Sequence, residues 1–327
     1  MSLSFSVPDS VLSTTLANYR PTLQDNIFRA NPLFYWLIGR YPDVPNSQSE
    51  SRGKKLTLDG GESIVIPLLY ERNSTAKTYS GYGILDTTPQ EGITAAKYNW
   101  KQAAVSVSIS GKEEHQNAGS QTRVINLLES KIKQAEMSLQ EKMDEQFFGT
   151  GTDSSTDFLG LQTMIATTGT VGGIARSGNS WWQAKVATSA GSFAANGLDL
   201  MRTKYNDCSR GNDHPDLILT DQTNFERYEK VLQPQERFMD TKVADGGFEN
   251  LRFKGAVMMF DLYSTAGYMY FLNSKYLQWA VHSDADFATG EFVKPENQDA
   301  RVAQILVMGE LVCSNFSRQG VIQGFTA

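Results

Sequence analysis

The stretch Ser120–Phe148 constrains the fold more than any other part of the chain. Apolar residues recur at Val124, Leu127, Leu128, Ile132, Ala135, Leu139, Met143 and Phe147. Steps of three and four keep these side chains on one stripe of a helix, the mark of a helix lying on a core. Arg123, Glu129, Lys133, Glu136, Glu141 and Glu145 fall between them, and Glu129 precedes Lys133 by four residues, the order that favours an ion pair along a helix. Ser120 is placed to cap the N-terminus, and Gly149, repeated by Gly151, to stop the C-terminus. No proline or glycine interrupts the run, so the spacing predicts a single helix of roughly 43 Å at 1.5 Å per residue. That is long for one globular helix, yet short of needing a coiled-coil partner.

The segments before it are of two kinds. Asp9–Tyr19 has the pattern of a short helix, ended by Pro21. DNIFRANPLFYWLIGR follows, where Ile27, Phe28 and Leu33 to Ile38 are too apolar for a free tail and must dock, on this subunit or on a neighbour. The polar run with Pro42 and Pro45 then reads as a linker. Residues 56–110 are expected to form two long strands. Ile64, Val65 and Ile66 lie in the first, while Val105, Val107 and Ile109 alternate with Ser106, Ser108 and Ser110 in the second. Between them, Thr75 to Thr94 has little period. A loop of about twenty residues is uncommon in a compact domain and is usually functional or disordered. A hairpin ordered by another molecule is one reading, a floppy surface loop the other.

After the helix, a Gly/Ser/Thr-rich turn leads to the pair Trp181 and Trp182, which packing explains better than base stacking in a chain without basic flanks. Residues 196–290 have the pattern of a compact α/β lobe. Its elements are a helix at Gly197–Tyr205, a buried strand at Asp216–Asp221, and a helix capped by Asp221 and ended by Pro234. A loop with Gly246 and Gly247 follows, then the apolar strands GAVMMFD and YMYFL and the segment LQWAVHSD. Arg301–Phe316 is strand-like and is expected to return to the long helix.

Composition narrows the function. With 327 residues the chain is near the size at which one core splits into two lobes. The net charge of −6 argues against a dedicated nucleic-acid binder. Cys208 and Cys313 are too few and too far apart for a disulfide framework or a zinc site, which fits a reducing cytosol. MSLSFSVPDS lacks the basic start and apolar core of a signal peptide, and no apolar run nears the ~18 residues of a membrane span. A protein soluble when made is expected, with no membrane partner.

No catalytic arrangement stands out. There is no P-loop, glycine fingerprint, nucleophile elbow or HExxH. Asp213, His214 and Asp216 in GNDHPD could hold a metal, but one imidazole between two loop carboxylates is better explained as a turn before a strand. Glu113, Glu114 and His115 suit the solvated N-terminal approach to a helix, where the dipole favours acids. Both thiols lack a basic neighbour, and the glycosylation triplet Asn73-Ser74-Thr75 has no meaning without secretion. No catalytic, cofactor-binding or metal-binding residue is assigned, and no cofactor is expected.

The order of these pieces, an arm, an extended hairpin, one long helix, a glycine-broken turn, an α/β lobe and a returning strand, resembles the tailed-bacteriophage major capsid proteins of the Hong-Kong-97-like fold. DNIFRANPLFYWL is similar to the family's arm. QEKMDEQFFGTGTDSSTDFLGLQTM resembles the end of its spine helix and the glycine-rich turn after it. FKGAVMMFD and YFLNSKYL resemble the late strands of its axial lobe. The resemblance implies an α+β fold with an N-terminal arm at 1–53, an extended hairpin loop at 54–111 and a peripheral domain with the spine helix at 112–195. It places an axial domain at 196–290 and the return to the peripheral domain at 291–327.

It further implies a non-enzymatic protein that assembles with itself into hexamers and pentamers of an icosahedral shell around double-stranded DNA, held without sequence specificity. The expected place is the virion, assembled in the bacterial host cytoplasm. The chain has no long helical extension of the kind some members use as a built-in scaffold, so a separate scaffolding protein is implied, with portal and decoration proteins as further partners. Some members crosslink a hairpin lysine to a neighbour's asparagine beside a glutamate; Lys77, Asn297 and Glu296 are the residues in question, and no bond is expected. A flat tile with reaching, apolar edges suits such a shell on physical grounds, because symmetric contacts repeat and act together. The alternatives are an encapsulin-like nanocompartment shell, an enzyme of another family, and a tail-tube subunit, which would be mostly strand without a long helix.

Overall fold

The computed structural model describes residues 31–38, 55–116, 127–232 and 251–326. The expected helix at Asp9–Tyr19, the apolar Ile27 and Phe28, the linker after Arg40, the Ser120 cap with the first turns of the long helix, Pro234, and the Gly246–Gly247 loop lie outside the described residues. The helices are α1 (Pro32–Ile38), α2 (Gly111–Gln116), α3 (Leu127–Phe147), α4 (Leu161–Met164), α5 (Phe193–Cys208) and α6 (Gln222–Leu232). The strands begin with β1 (Leu56–Leu58), β2 (Ser63–Leu69), β3 (Ile93–Asn99) and β4 (Lys101–Ser110), then β5 (Thr170–Val171), β6 (Ile174–Ala175), β7 (Lys185–Ala187) and β8 (Gly191–Ser192). Next come β9 (Leu217–Thr220), β10 (Leu251–Phe253), β11 (Ala256–Phe260), β12 (Met269–Leu272) and β13 (Leu277–His282). β14 (Ala288–Thr289), β15 (Ala300–Cys313), β16 (Gly320–Ile322) and β17 (Phe325–Thr326) complete the set. The chain divides into two compact units: among the described residues, Gln102–Met143 and Asp284–Met308 form one, and Asn31–Lys101, Asp144–Ser283 and Gly309 onward the other.

In the first unit, α3 keeps the expected stripe. Ala135, Leu139 and Met143 are buried at every fourth position, and Glu129 and Lys133 are exposed. The helix closes in the second unit with Phe147 buried, and the Gly149 N–H turns back to the Gln146 carbonyl at 2.9 Å. α2 opens with a reciprocal cap: Ser110 N–H donates to Glu113 Oε2 at 3.1 Å, and Glu113 N–H donates to Ser110 Oγ at 3.3 Å. Lys131 of α3 sits 2.9 Å from the same carboxylate oxygen and holds Glu113 below the usual carboxylate range. Glu113 is therefore a partly buried cap and not a solvated approach. β4 and β14 both pair with the first part of β15, whose Ala303, Ile305 and Val307 point inward.

The second unit is built on a mixed sheet in the order β10-β11-β9-β12-β16-β7. All four residues of β9 and of β12 are buried, so neither strand has a polar face to offer water. α5 packs on β16 and β7 and α6 on β11, with Met201, Tyr205, Phe225 and Tyr228 in the shared core. This sheet reaches beyond the lobe expected at 196–290: β7 precedes it and β16 follows it. The reason is the all-apolar β12, which needs a neighbour on each side and takes β9 on one and β16 on the other. β13, expected in the same lobe, instead lies between β1, parallel, and the last residues of β15, antiparallel.

Two glycines of the turn after α3 are forced by close approach. A Cβ on Gly160 would fall 1.9 Å from the Gly149 carbonyl oxygen, and one on Gly151 1.9 Å from that of Phe158. The turn folds back on α3, where Phe147, Phe158 and Trp279 meet ring to ring at 5.2–5.9 Å.

Candidate assembly surface

The hairpin differs from the expected one. β2 pairs with β3, not with the strand carrying Val105, Val107 and Ile109. That strand is β4, and it pairs with β15. The sequence ITAAKYN hides β3 because one of its inward positions needs a small side chain: the Gly172 turn rides over Ala96, and Lys97 N–H donates to the Gly172 carbonyl at 2.9 Å. Ile64, Leu68, Ala96 and Tyr98 form the buried inner face. The Tyr98 hydroxyl donates to the Cys313 carbonyl at 2.7 Å, and Tyr70, next in line, stacks on Trp181 at 5.2 Å. The tryptophan pair is indeed packing. Trp182 is fully buried, donates to the Val171 carbonyl at 2.9 Å and meets Phe316 edge-on.

The outer face of the same hairpin is apolar too. Val65 and Leu69 on β2 and Ile93 on β3 are all exposed, Leu69 and Ile93 by more than three quarters. Beyond them, residues 71–92 carry no regular secondary structure and are tied together locally. The Asn73 carboxamide oxygen accepts from Thr75 N–H at 2.8 Å, and Ser74 donates to Gln90 Oε1. Tyr79, Tyr82, Ile84 and Leu85 all face solvent there, Tyr82 completely and Ile84 by 87%. A row of large apolar side chains in water is the mark of a surface that meets another molecule.

The base of the hairpin is fixed by a buried ion pair that the sequence pattern did not reveal. Lys101 Nζ lies 3.2 Å from Glu310 Oε2, with both side chains almost fully buried. The ammonium also donates to the carbonyls of Thr152 and Asp157, and Glu310 Oε1 accepts from the N–H groups of Leu159 at 2.8 Å and Leu311 at 3.0 Å. Burial outweighs the nearby ammonium and pushes the Glu310 carboxyl up to about 7. Arg176 is a second hidden charge. Its guanidinium donates to the carbonyls of Thr163, Met164, Thr168 and Trp182 and lies over the Phe316 ring at 4.7 Å.

Of the two docking places left open by the sequence, the described arm residues take one within this chain. α1 buries Leu33, Phe34 and Leu37, and its Leu33 N–H points at Asp261 Oδ2, 3.5 Å away. Asp261 is buried and hydrogen-bonded to Asp144 at the end of α3, and burial raises it to about 6.

The residues weighed for chemistry do not converge. Asp213 accepts from the Tyr276 hydroxyl and from Asn273 Nδ2, and Asp216 accepts from Ser274, while the His214 ring stacks on Tyr205. GNDHPD is a strand-entry turn. His282 lies edge-on to Trp100, and His115 is exposed. Cys208 and Cys313 are buried free thiols, each pushed up to about 12 by burial. Lys77, Glu296 and Asn297 are exposed. Among the described residues no three His, Cys, Asp or Glu side chains gather as a metal set, and no helix is long and apolar enough to cross a membrane.

Solved structures match this architecture along nearly its whole length. A chain of the cyanophage A-1(L) capsid asymmetric unit superposes with a TM-score of 0.65 at 16% identity, covering 95% of this chain and 98% of its own. A chain from mycobacterium phage Bobi gives 0.59 at 12% identity, covering 98% and 99%. The SrpI encapsulin complex of Synechococcus elongatus gives 0.60 at 8% identity, covering 96% and 95%. No protein-family model and no curated protein matches the sequence. The fold is the α+β fold of Hong-Kong-97-like capsid proteins.

Proposed function

We propose that the chain is the major capsid protein of a tailed bacteriophage, a non-enzymatic subunit whose hexamers and pentamers close an icosahedral shell around double-stranded DNA. The observation that carries this reading is the end-to-end correspondence with phage capsid chains. The exposed apolar hairpin supports it, because a free monomer gains nothing from Tyr82 and Ile84 in water. In this reading residues 1–53 are the arm, 54–111 the extended loop, 112–195 and 291–327 the peripheral domain, and 196–290 the axial domain, the last two sharing strands as described. A separate scaffolding protein, a portal and decoration proteins are its partners, and it resides in the virion after assembly in the host cytoplasm.

The encapsulin match favours a second reading of the same shell chemistry, a nanocompartment without a genome. Nuclease treatment of lysate containing the particles, followed by extraction of protected nucleic acid, separates the two. Genome-length double-stranded DNA inside closed particles is expected. Particles that protect protein cargo and no DNA would overturn the phage reading in favour of the second.

A further inference from the structure

Two carboxyl groups meet in the core of the second unit, where the arm is seated. Asp144 lies in the last turn of α3 with 0% of its surface exposed, and Asp261, in the turn after β11, is 3% exposed. The two side chains are hydrogen-bonded to each other. A carboxylate can only accept, so a hydrogen bond between two carboxyl groups requires that one of them carry a proton. Asp261 also faces two backbone donors. Tyr263 N–H donates to its Oδ1 at 3.0 Å, and Leu33 N–H, in the first turn of α1, points at its Oδ2 from 3.5 Å. Its own N–H donates to the Thr220 carbonyl at 3.0 Å, which fixes the turn on β9. One small cluster thus ties together the end of α3, the turn after β11 and the start of α1.

No cation offsets the two acids. The groups acting on the Asp261 carboxyl are Asp144, Tyr263 N–H and Leu33 N–H, and no lysine, arginine or histidine is among them. The elements packed around it bring few other titratable side chains. Tyr35 of α1 and Tyr263 of the turn are half-buried, and Tyr270 of β12 is buried. Asp221, after β9, accepts from Asn224 Nδ2 and Gly267 N–H. On the last turns of α3, Lys142 and Glu145 are exposed.

We infer that Asp144 and Asp261 share one proton and that this proton latches the arm: when it leaves for solvent, α1 is released from its seat at the end of α3. Without it two carboxylates abut in a place that offers neither water nor a counter-charge, and lifting α1 lets water reach Asp261. α1 is the element that yields. It is a single seven-residue helix held by Leu33, Phe34 and Leu37, whereas Asp261 follows a strand paired on both sides. The pair titrates as one unit. Burial raises Asp261 from 3.8 to about 6, so the seated state holds the proton more tightly than a state open to water. The contribution of the proton to seating is fully present below about 4 and is lost as pH rises through about 6. With a tenfold change per pH unit across that window, the released population rises by at most about a hundredfold and is constant above it. The latch belongs to the single subunit and holds whatever that subunit assembles into.

Hydrogen–deuterium exchange of unassembled full-length subunits, read by mass spectrometry between pH 4.5 and pH 8 and corrected for the chemical exchange rate, tests it. Protection of the α1 peptide is expected to fall more than tenfold between pH 4.5 and pH 7 and then to level off, while β9 stays protected. Asp261→Asn and Asp144→Asn each replace the shared proton by a permanent amide donor, so α1 is expected to keep its protection from pH 5 to pH 8 in both, with circular dichroism confirming the fold. A wild-type α1 whose protection is the same at pH 4.5 and pH 7 overturns the latch, and so does an unchanged fall in the asparagine variants. Loss of protection in α1 and β9 together also overturns it, because the whole subunit is then unfolding. Should either variant not fold, the wild-type profile alone decides.

Discussion

Replacing Lys101 by methionine removes one half of the buried ion pair while keeping most of its packing. Three losses follow. Glu310 is left as a buried carboxyl group without its cation, and the carbonyls of Thr152 and Asp157 lose their donor. Breaking a buried pair from one side costs about 3–5 kcal/mol. The pH dependence makes the reasoning specific. In the wild-type subunit Glu310 is raised to about 7 from an ordinary value of 4.5, so the folded state holds this proton more tightly than the unfolded one. Its contribution to stability is fully present below about 4.5 and is lost as pH rises through about 7. Without Lys101 the carboxyl rises further. Below about pH 7 both proteins carry a neutral Glu310, and the difference between them is constant. Above it only the wild type ionises, and the difference grows by up to about 1.4 kcal/mol per pH unit until the variant's carboxyl ionises as well. Urea unfolding of unassembled subunits between pH 6 and pH 9, followed by circular dichroism, measures this. A difference that is flat across pH 7–9, or below about 1 kcal/mol throughout, would refute the assignment of Glu310 and Lys101 as a coupled buried pair.

Truncating Leu139, 4% exposed on the inner stripe of α3, to alanine should destabilise the subunit by about 2–5 kcal/mol in the same unfolding assay. Replacing residues 71–91 with a short Asn-Gly turn should do the reverse: loop closure changes little with length, so the subunit keeps its melting temperature and circular dichroism, yet particles fail to form in electron micrographs. Boiled, denatured particles should run on a gel at the 36.3 kDa monomer mass, since no covalent bond of Lys77 to Asn297 is expected; a ladder of multimers would contradict this.

Much of the second half of the long helix was legible because a helix buried on one stripe must repeat its apolar residues; Ala135, Leu139, Met143 and Phe147 could hardly sit elsewhere. The apolar arm was equally plain, and Leu33, Phe34 and Leu37 are buried. The hairpin was misdrawn because strand pairing depends on what lies above it. Ala96 looks like a weak strand residue until the Gly172 turn is seen to need the room. The hidden charges failed for a similar reason. Nothing beside Lys101, Asp144, Arg176 and Glu310 in the sequence marks them as buried, and the partner can lie far away: Lys101 and Glu310 are paired across more than two hundred positions. The lobe boundaries blurred because β7 and β16 are three residues each, the first half-buried and the second buried, with neither length nor alternation to announce which sheet they complete.

Electron microscopy of the protein purified after expression with a scaffolding partner tests the central claim most directly. The account predicts closed icosahedral shells built from fivefold and sixfold clusters of this subunit. A chain that stays monomeric at every concentration and salt, and turns over a substrate, would contradict it.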